Sequence, residues 1–222
     1  MFVGHYAASF VLKTVDKKVS LGLLFLAVQF VDILFFTFAL FGIERFKIVE
    51  HFTQSTHFDL QYMPYTHSFA ATLFWGLSVF VVAYLSTARF GNDRLKISVV
   101  LALAVMSHWF LDLLVHTPDL PLYSNDSLKL GFGLWNHAIA TYILEAVLLT
   151  GSAIWYLYST QSTAKLGKYA MVIFVLLMLI INGVNIFAPL DANATVVSVS
   201  LSALTAYFVF AIIAYWLDSK RV

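Results

Sequence analysis

The sequence predicts an all-α fold, a polytopic bundle of about seven transmembrane helices that forms a single domain over residues 1–222. Of the 222 residues, 61% are hydrophobic and 11% are charged. Soluble domains have about 45–50% apolar and about 25% charged residues, so lipid must be part of the solvent of this chain. Six apolar runs are each long enough to cross the roughly 30 Å of hydrocarbon in a bilayer.

The predicted elements follow one another closely along the chain. The first is a short apolar segment, Phe2–Val15, which is shorter than the roughly 20 residues that a spanning helix needs. Six long segments follow it, covering residues 20–43, 67–87, 97–116, 135–158, 169–188 and 196–217. Backbone groups in lipid must pair within their own segment, so we expect every one of these segments to be helical.

The distribution of lysine and arginine predicts the orientation. One side of the predicted membrane holds Lys13, Lys17, Lys18, Arg89, Arg94, Lys96, Lys165, Lys168, Lys220 and Arg221. The other side holds Arg45, Lys47 and Lys129. The positive-inside rule makes the first side cytoplasmic, which places the C-terminus inside and the longer connections, 44–66 and 117–134, outside.

The composition argues against two classes of function. A formal net charge of +1 leaves no basic face for nucleic acid, whose phosphates demand clustered cations. The absence of cysteine excludes disulfides, thiolate catalysis and cysteine metal sites. Membrane lipid is therefore the expected partner.

Several ionisable residues interrupt the apolar runs. An ionisable side chain at mid-bilayer costs roughly 2.5–3.5 kcal/mol on insertion scales and indicates function by default. Residues four apart share one face of a helix, so two polar stripes are expected. The stripes contain His108, Asp112 and His116 on one helix, and His137, Thr141 and Glu145 on another.

The estimated depth of each residue in the membrane places some of these side chains at the same level as side chains from other segments. At a rise of roughly 1.5 Å per residue, four side chains lie roughly 18–24 Å above the nearest cytoplasmic lysine. These are His5, Asp32, His108 and Asp112. Three more histidines, His67, His116 and His137, come out roughly 30 Å or more above it. This pattern predicts a polar pocket that opens outward.

Neutral histidines and carboxylates form a ligand set that suits Zn²⁺, or Mn²⁺ or Fe²⁺. Zinc is the expected ion, and a bound ion would offset the burial of the carboxylates. The expected ligands are His5, Asp32, His67, His108 and Asp112, with His116 and His137 lining the entrance or holding a further ion. Glu145 or Asp119 is expected to act as general base or acid in a hydrolysis.

Three short motifs resemble the bacterial membrane-bound metal-dependent hydrolases, a family of small polytopic inner-membrane proteins. The motifs are Gly4-His5, Tyr65-Thr66-His67-Ser68, and Ser107-His108-x-x-x-Asp112 followed by Thr117-Pro118. Segments Gly42–Arg45, His116–Tyr123 and Gly133–Asn136 resemble one branch of that family. The resemblance implies a location in the bacterial inner membrane and a hydrolase activity. Because the predicted pocket opens toward the outer leaflet, we expect a lipid or lipid-linked phosphoester as the substrate.

The chain departs from the family pattern at two places, and other functions stay open. Only Asp32 stands where better-known members have a Pro-Asp-x-Asp-His cluster, and Met63-Pro64-Tyr65 replaces a His-Arg-Gly. A proton-coupled transporter is one alternative, since acids and histidines in membranes also relay protons. A non-catalytic membrane protein whose polar cluster only fixes helix packing is the other.

Overall fold

A computed structural model describes residues 1–162 and 165–222, with the side chains of residues 165–168 left out. The helices are α1 Tyr6–Val15, α2 Leu21–Val28, α3 Phe30–Leu40, α4 Phe69–Ser86, α5 Asp93–Val115, α6 Ala138–Ser159, α7 Lys165–Phe187 and α8 Val196–Asp218. Two antiparallel sheets of two strands each pair β1 Arg45–Ile48 with β2 Phe58–Tyr62, and β3 Leu120–Pro121 with β4 Lys129–Leu130. The chain is thus mostly helical, and these small sheets correct the all-α prediction.

Five helices are long and apolar enough to cross a membrane: α4, α5, α6, α8 and, over Tyr169–Phe187, α7. Helices α2 and α3 together make a sixth candidate, bent by 53° at Gln29. The seventh predicted span does not reach this length, because α1 has only 10 residues after a 3-10 turn at Val3–His5. Tyr6 and Phe10 are fully buried, so α1 is an interior half-length helix that packs against α6 and α2.

Polar and charged contacts hold one end of the bundle together. Lys13 Nζ lies 2.9 Å from Asp218 Oδ2, which joins the end of α1 to the end of α8. Lys18 pairs with Asp93 at the start of α5. Arg221 donates to the carbonyl oxygen of Thr160, after α6. Cations that the sequence places on one side of the membrane therefore lie together here, although the side chains of Lys165 and Lys168 are outside the described part.

The two strand pairs cover the opposite end. The β1–β2 hairpin reaches the start of α6, where Ser55 N–H donates to the carbonyl oxygen of Trp135. The connection that carries β3 and β4 reaches α4, where Ala70 N–H donates to the carbonyl oxygen of Leu122. These contacts place the longer connections, 44–66 and 117–134, together above the helices.

The outer surface of the helices is strongly apolar. Leu77 on α4, Ile180 on α7 and Ile212 on α8 are each more than 60% exposed, and many other large apolar side chains share this exposure. Soluble monomers rarely expose such continuous apolar surface. Length, composition and surface together are those of a membrane protein.

Candidate metal centre

The break between α2 and α3 builds one side of the site. Gln29 separates the two helices, and its amide Nε2 donates to the carbonyl oxygen of Phe2 at 3.2 Å. The carbonyl oxygen of Val28, the last residue before the break, lies 2.7 Å from Nδ1 of His108. A side chain thus serves as the partner of this carbonyl. Asp32 follows in the first turn of α3.

Helix α5 and the segment before α4 supply the other ligands. His108 and Asp112 lie one turn apart on α5, with His108 Nε2 3.1 Å from Asp112 Oδ2. His67 directly precedes Ser68, the residue whose hydroxyl caps the start of α4. Its Nε2 lies 3.3 Å from Asp32 Oδ1 and 3.8 Å from Asp112 Oδ2. His108 Nε2 lies 3.5 Å from Asp32 Oδ1.

These four side chains are linked by a closed set of short nitrogen-to-oxygen distances. A tetrahedral ion with bonds of about 2.0–2.1 Å holds its ligand atoms about 3.3–3.4 Å apart. The four nitrogen-to-oxygen distances among His67, His108, Asp32 and Asp112 run from 3.1 to 3.8 Å. The set therefore surrounds a volume of the size that one small cation needs.

The hydrogen bonds of the histidine rings indicate which nitrogen faces this volume as a lone pair. The Val28 carbonyl oxygen can only accept, so the Nδ1 of His108 carries a hydrogen and the Nε2 of a neutral ring does not. His108 Nε2 is buried and has no hydrogen-bond partner among the described residues, although two carboxylate oxygens lie within 3.5 Å. A neutral Nε2 would face these oxygens with a lone pair, and either a proton on Nε2 or a cation between the groups would make the contact attractive.

A chain of hydrogen bonds orients His67 in the same way. The Thr66 hydroxyl donates to Glu44 Oε2 at 2.5 Å and lies 2.8 Å from His67 Nδ1. Because the hydroxyl hydrogen points to Glu44, the Thr66 oxygen accepts from Nδ1–H, and Nε2 is left as a lone pair. Glu44 Oε1 also accepts from the N–H groups of Tyr65 and Thr66. Burial raises the pKa of the Glu44 carboxyl above its ordinary value, while the bonds from Thr66 and Tyr65 act in the opposite direction.

The carboxylates are held as well. The Tyr207 hydroxyl of α8 donates to Asp32 Oδ2 at 3.0 Å, which leaves Oδ1 facing the two histidines. Asp112 Oδ1 accepts a hydrogen bond of 2.6 Å from the amino group of Met1, and Asp112 Oδ2 faces His67 and His108. Metal ligands in proteins are usually oriented by outer contacts of this kind.

His5 lies against the same cluster. Its ring stacks on His108 with centroids 3.7 Å apart, and its Nε2 lies 3.0 Å from Asp112 Oδ1. The ring is fully buried, and neither nitrogen has a hydrogen-bond partner among the described residues. Ligand atoms of His5, Asp32 and His108 lie within 4.8 Å of one another, as do those of His67, His108 and Asp112. These buried groups could hold a metal ion.

His116 forms an outer layer of the site. It follows α5 directly, and its Nε2 lies 3.6 Å from Asp112 Oδ1. Its Nδ1 lies 2.8 Å from Asp119 Oδ1, and its ring contacts the Trp135 ring at an angle of 36°, with centroids 4.0 Å apart. Asp119 Oδ2 in turn accepts from the Thr117 hydroxyl. Asp119 therefore acts on the cluster through His116.

Two predicted site residues have different surroundings from those expected. Glu145 is buried beside the cluster, but its Oε2 accepts from the N–H groups of Phe2 and Gly4 and so anchors the turn that precedes α1. His137 is exposed at the start of α6, and its described backbone contacts are to the neighbouring turn. The structure does not bring His137 to the cluster, because the helix begins above the depth at which the ligands meet.

Sequence reasoning misses four groups that position the ligands: Glu44, Thr66, Tyr207 and the Val28 carbonyl oxygen. Glu44 and Thr66 stand inside the segments Gly42–Arg45 and Tyr65–Ser68 that carry the family resemblance, but nothing there indicates that they orient His67. Nothing in the sequence indicates that the carbonyl of Val28 or the hydroxyl of Tyr207 faces the site.

A cavity of about 490 Å³ reaches the cluster from the side of α7 and α8. Asp32, His67 and Asp112 form part of its wall, whereas His108 does not. His116 and Glu145 also line it. An additional ligand in the cavity therefore has access to Asp32, His67 and Asp112.

Comparison with known proteins adds no assignment, since no family model, curated protein or solved structure matches this chain.

Proposed function

We propose that this chain is a membrane-embedded metal-dependent hydrolase whose metal is held by Asp32, His67, His108 and Asp112. The observation that carries the proposal is the set of four nitrogen-to-oxygen distances of 3.1–3.8 Å around one volume. A set of two imidazoles and two carboxylates at these separations suits Zn²⁺ best, with Mn²⁺ and Fe²⁺ as alternatives.

The arrangement supports hydrolysis better than a purely structural ion. A bound Zn²⁺ supplies a Lewis acid and a source of hydroxide at neutral pH. The protein contributes a cavity on the Asp32, His67 and Asp112 face, where a substrate oxygen has room. His116 borders the same cavity and is oriented by Asp119, so this pair is placed to accept or return a proton.

We further propose that the substrate is a lipid or a lipid-linked phosphoester, processed at the outer side of a bacterial inner membrane. The cavity lies toward the end of the bundle that holds the strand pairs, away from the cluster of Lys13, Lys18 and Arg221. If that cationic end is cytoplasmic, the site is reached from the outer leaflet and the C-terminus is inside.

Metal analysis and hydrolysis of the purified protein test this proposal. We expect metal-replete protein in mild detergent to retain Zn, Mn or Fe, and chelation to abolish hydrolysis of a lipid phosphoester panel until the metal is restored. His108→Ala should lose both properties. His137→Ala is the matched control, because it removes an exposed histidine outside the cluster. A metal content below about 0.2 equivalents in the unaltered protein would overturn the proposal.

A further inference from the structure

The cavity beside the metal cluster is bounded on one side by two long helices. Its lining from α7 consists of Ile181, Asn185 and Ile186, and its lining from α8 includes Ser198, Ser202, Ala203 and Ala206. Asp191 and Ala194, from the connection between these helices, close it at one end. The cavity thus runs between α7 and α8 until it meets Asp32 and Asp112.

The face of α8 along this cavity consists mostly of small side chains, with Val199 and Tyr207 beside them. Ser198, Ser202 and Ala206 are spaced four residues apart, so they follow one another along one side of the helix. Helix α7 packs mainly against α6 and touches α8 little. The two helices are therefore separated along the cavity, with small residues on one wall.

This separation faces the apolar surface of the bundle. Ile180 on α7 is 64% exposed and Leu201 on α8 is 52% exposed, and both are neighbours of cavity-lining residues. In a bilayer, such side chains lie against acyl chains. Acyl chains beside the protein therefore lie next to the two helices that bound the cavity.

The charge of the lining points to the class of ligand. The described lining contains the acids Asp32, Asp112, Glu145 and Asp191, and no lysine or arginine. A polyanionic solute finds no lysine or arginine to bind here, and the amino group of Met1 in the lining is already paired with Asp112. Phe35, Phe36 and Phe58 make the rest of the wall suited to an apolar chain.

We propose that the gap between α7 and α8 is a lateral binding site for one membrane lipid of no net charge, whose acyl chain lies along Ser198, Ser202 and Ala206. Its polar group then reaches the face formed by Asp32, His67 and Asp112. The fate of the lipid rests on the proposed hydrolase function, whereas the binding of the lipid does not.

Photolabelling tests the binding site without relying on activity. The protein is placed in nanodiscs that contain a zwitterionic phosphatidylethanolamine with a diazirine in its acyl chain, and labelled residues are mapped by mass spectrometry. We expect labels on the cavity faces of α7 and α8. Ser202→Trp, which fills the cavity, should abolish them, and Ile181→Trp should do the same from the opposite wall. Leu201→Trp adds the same side chain outside the cavity and should leave them unchanged.

The outcomes separate this inference from the proposed function. Labels confined to outward residues such as Ile180 and Leu201, or cavity labels that persist in both Ser202→Trp and Ile181→Trp, would overturn the lateral site. Retained metal content in these variants shows that the fold and the cluster are intact. If these variants lose hydrolysis of a long-chain lipid but retain hydrolysis of a short, soluble analogue, that result would support the lateral site. Cavity labelling in a protein that binds no metal would instead leave the lateral site standing and remove the hydrolase.

Discussion

At the scale of single residues, the orientation of His67 depends on its hydrogen bond with the Thr66 hydroxyl. Glu44 sets the direction of that bond. Glu44 is fully buried and accepts the Thr66 hydroxyl, and the Thr66 oxygen is then free to accept from His67 Nδ1. If these hydrogen bonds ran in the opposite direction, the hydrogen of a neutral His67 ring would be on Nε2, where the metal is proposed to bind.

Glu44→Gln is expected to weaken metal binding about 10- to 100-fold, the usual effect of losing an outer contact of a ligand. The amide can donate to the Thr66 oxygen and turn the hydroxyl toward His67. Thr66→Val should have a similar effect, and Thr66→Ser should restore binding. Competition with a chelator of known affinity measures the change.

Glu50→Gln is the matched control, since Glu50 is an exposed acid in the same connection. An affinity in Glu44→Gln equal to that of this control would show that the Glu44–Thr66–His67 chain does not orient the ligand.

The ligand types were predictable from the sequence, whereas their positioning contacts were not. Acids and histidines in apolar runs are costly, and His108 and Asp112 share a helix face through their spacing alone. Backbone partners such as the Val28 carbonyl oxygen depend on where a helix breaks. His137 lies outside the cluster, and its predicted role at the entrance or with a further ion stays a prediction.

At the scale of the elements, α2 and α8 approach each other closely at Gly22. A Cβ at this position would meet the Ala211 carbonyl oxygen and the Tyr215 Cβ at 2.5 Å, which forces a backbone shift. Gly22→Ala is therefore expected to destabilise the protein by about 1–3 kcal/mol, as overpacking does.

Thermal unfolding in detergent measures this effect. Gly151→Ala is the control, because a Cβ there meets nothing within 4 Å and alanine favours helix. A midpoint for Gly22→Ala that equals or exceeds the midpoint for Gly151→Ala would contradict the close packing of α2 on α8.

The ion pair between α1 and α8 is buried, in contrast to the pair between Lys18 and Asp93. Asp218 also accepts from the Tyr156 hydroxyl and Leu21 N–H, so its charge stays in place when Lys13 is removed. Lys13→Met is expected to cost about 3–5 kcal/mol because it leaves a buried carboxylate without its cation.

Lys18→Met serves as the comparison. Its partner and its own side chain are nearly half exposed, so the expected cost is about 0–1 kcal/mol. Unfolding midpoints that fall equally in both variants would argue that the Lys13–Asp218 pair contributes no more than a surface pair.

The long helices were predictable because apolar length alone marks them, and the structure places six such segments near the predicted positions. The bend at Gln29 was not, since one glutamine in an apolar run gives no sign of a 53° change of direction. The half-length of α1 follows from burial among the other helices, where it no longer needs to match the bilayer. The strand pairs escaped prediction because strands of two to five residues carry too little pattern.

At the scale of the whole molecule, the polar cluster ends in an apolar interior. Beneath His5 and Asp32, the fully or almost fully buried side chains of Phe10, Leu24 and Phe25 pack between the helices. A proton or solute path across the membrane would have to pass through this core. The described interior therefore suits a one-sided site better than a transporter.

The absence of cysteine makes the orientation directly testable. Single cysteines at Glu50 and Asp126 should react with a membrane-impermeant maleimide in intact cells. Cysteines at Asn92 and Ser219 should react only after permeabilisation, because the positive-inside rule places that end in the cytoplasm. All four positions are exposed, so burial does not confuse the result. The opposite labelling pattern would place the site on the cytoplasmic face.

X-ray absorption at the zinc edge of the purified, metal-replete protein tests the central claim most directly. We expect a shell of nitrogen and oxygen at about 2.0–2.1 Å, with the outer scattering of two imidazoles and no sulfur. In His108→Ala the imidazole contribution should halve or the metal should be lost, while His137→Ala should give the unaltered spectrum. Zinc without imidazole scattering, or a spectrum that does not respond to His108→Ala, would contradict a metal centre at Asp32, His67, His108 and Asp112.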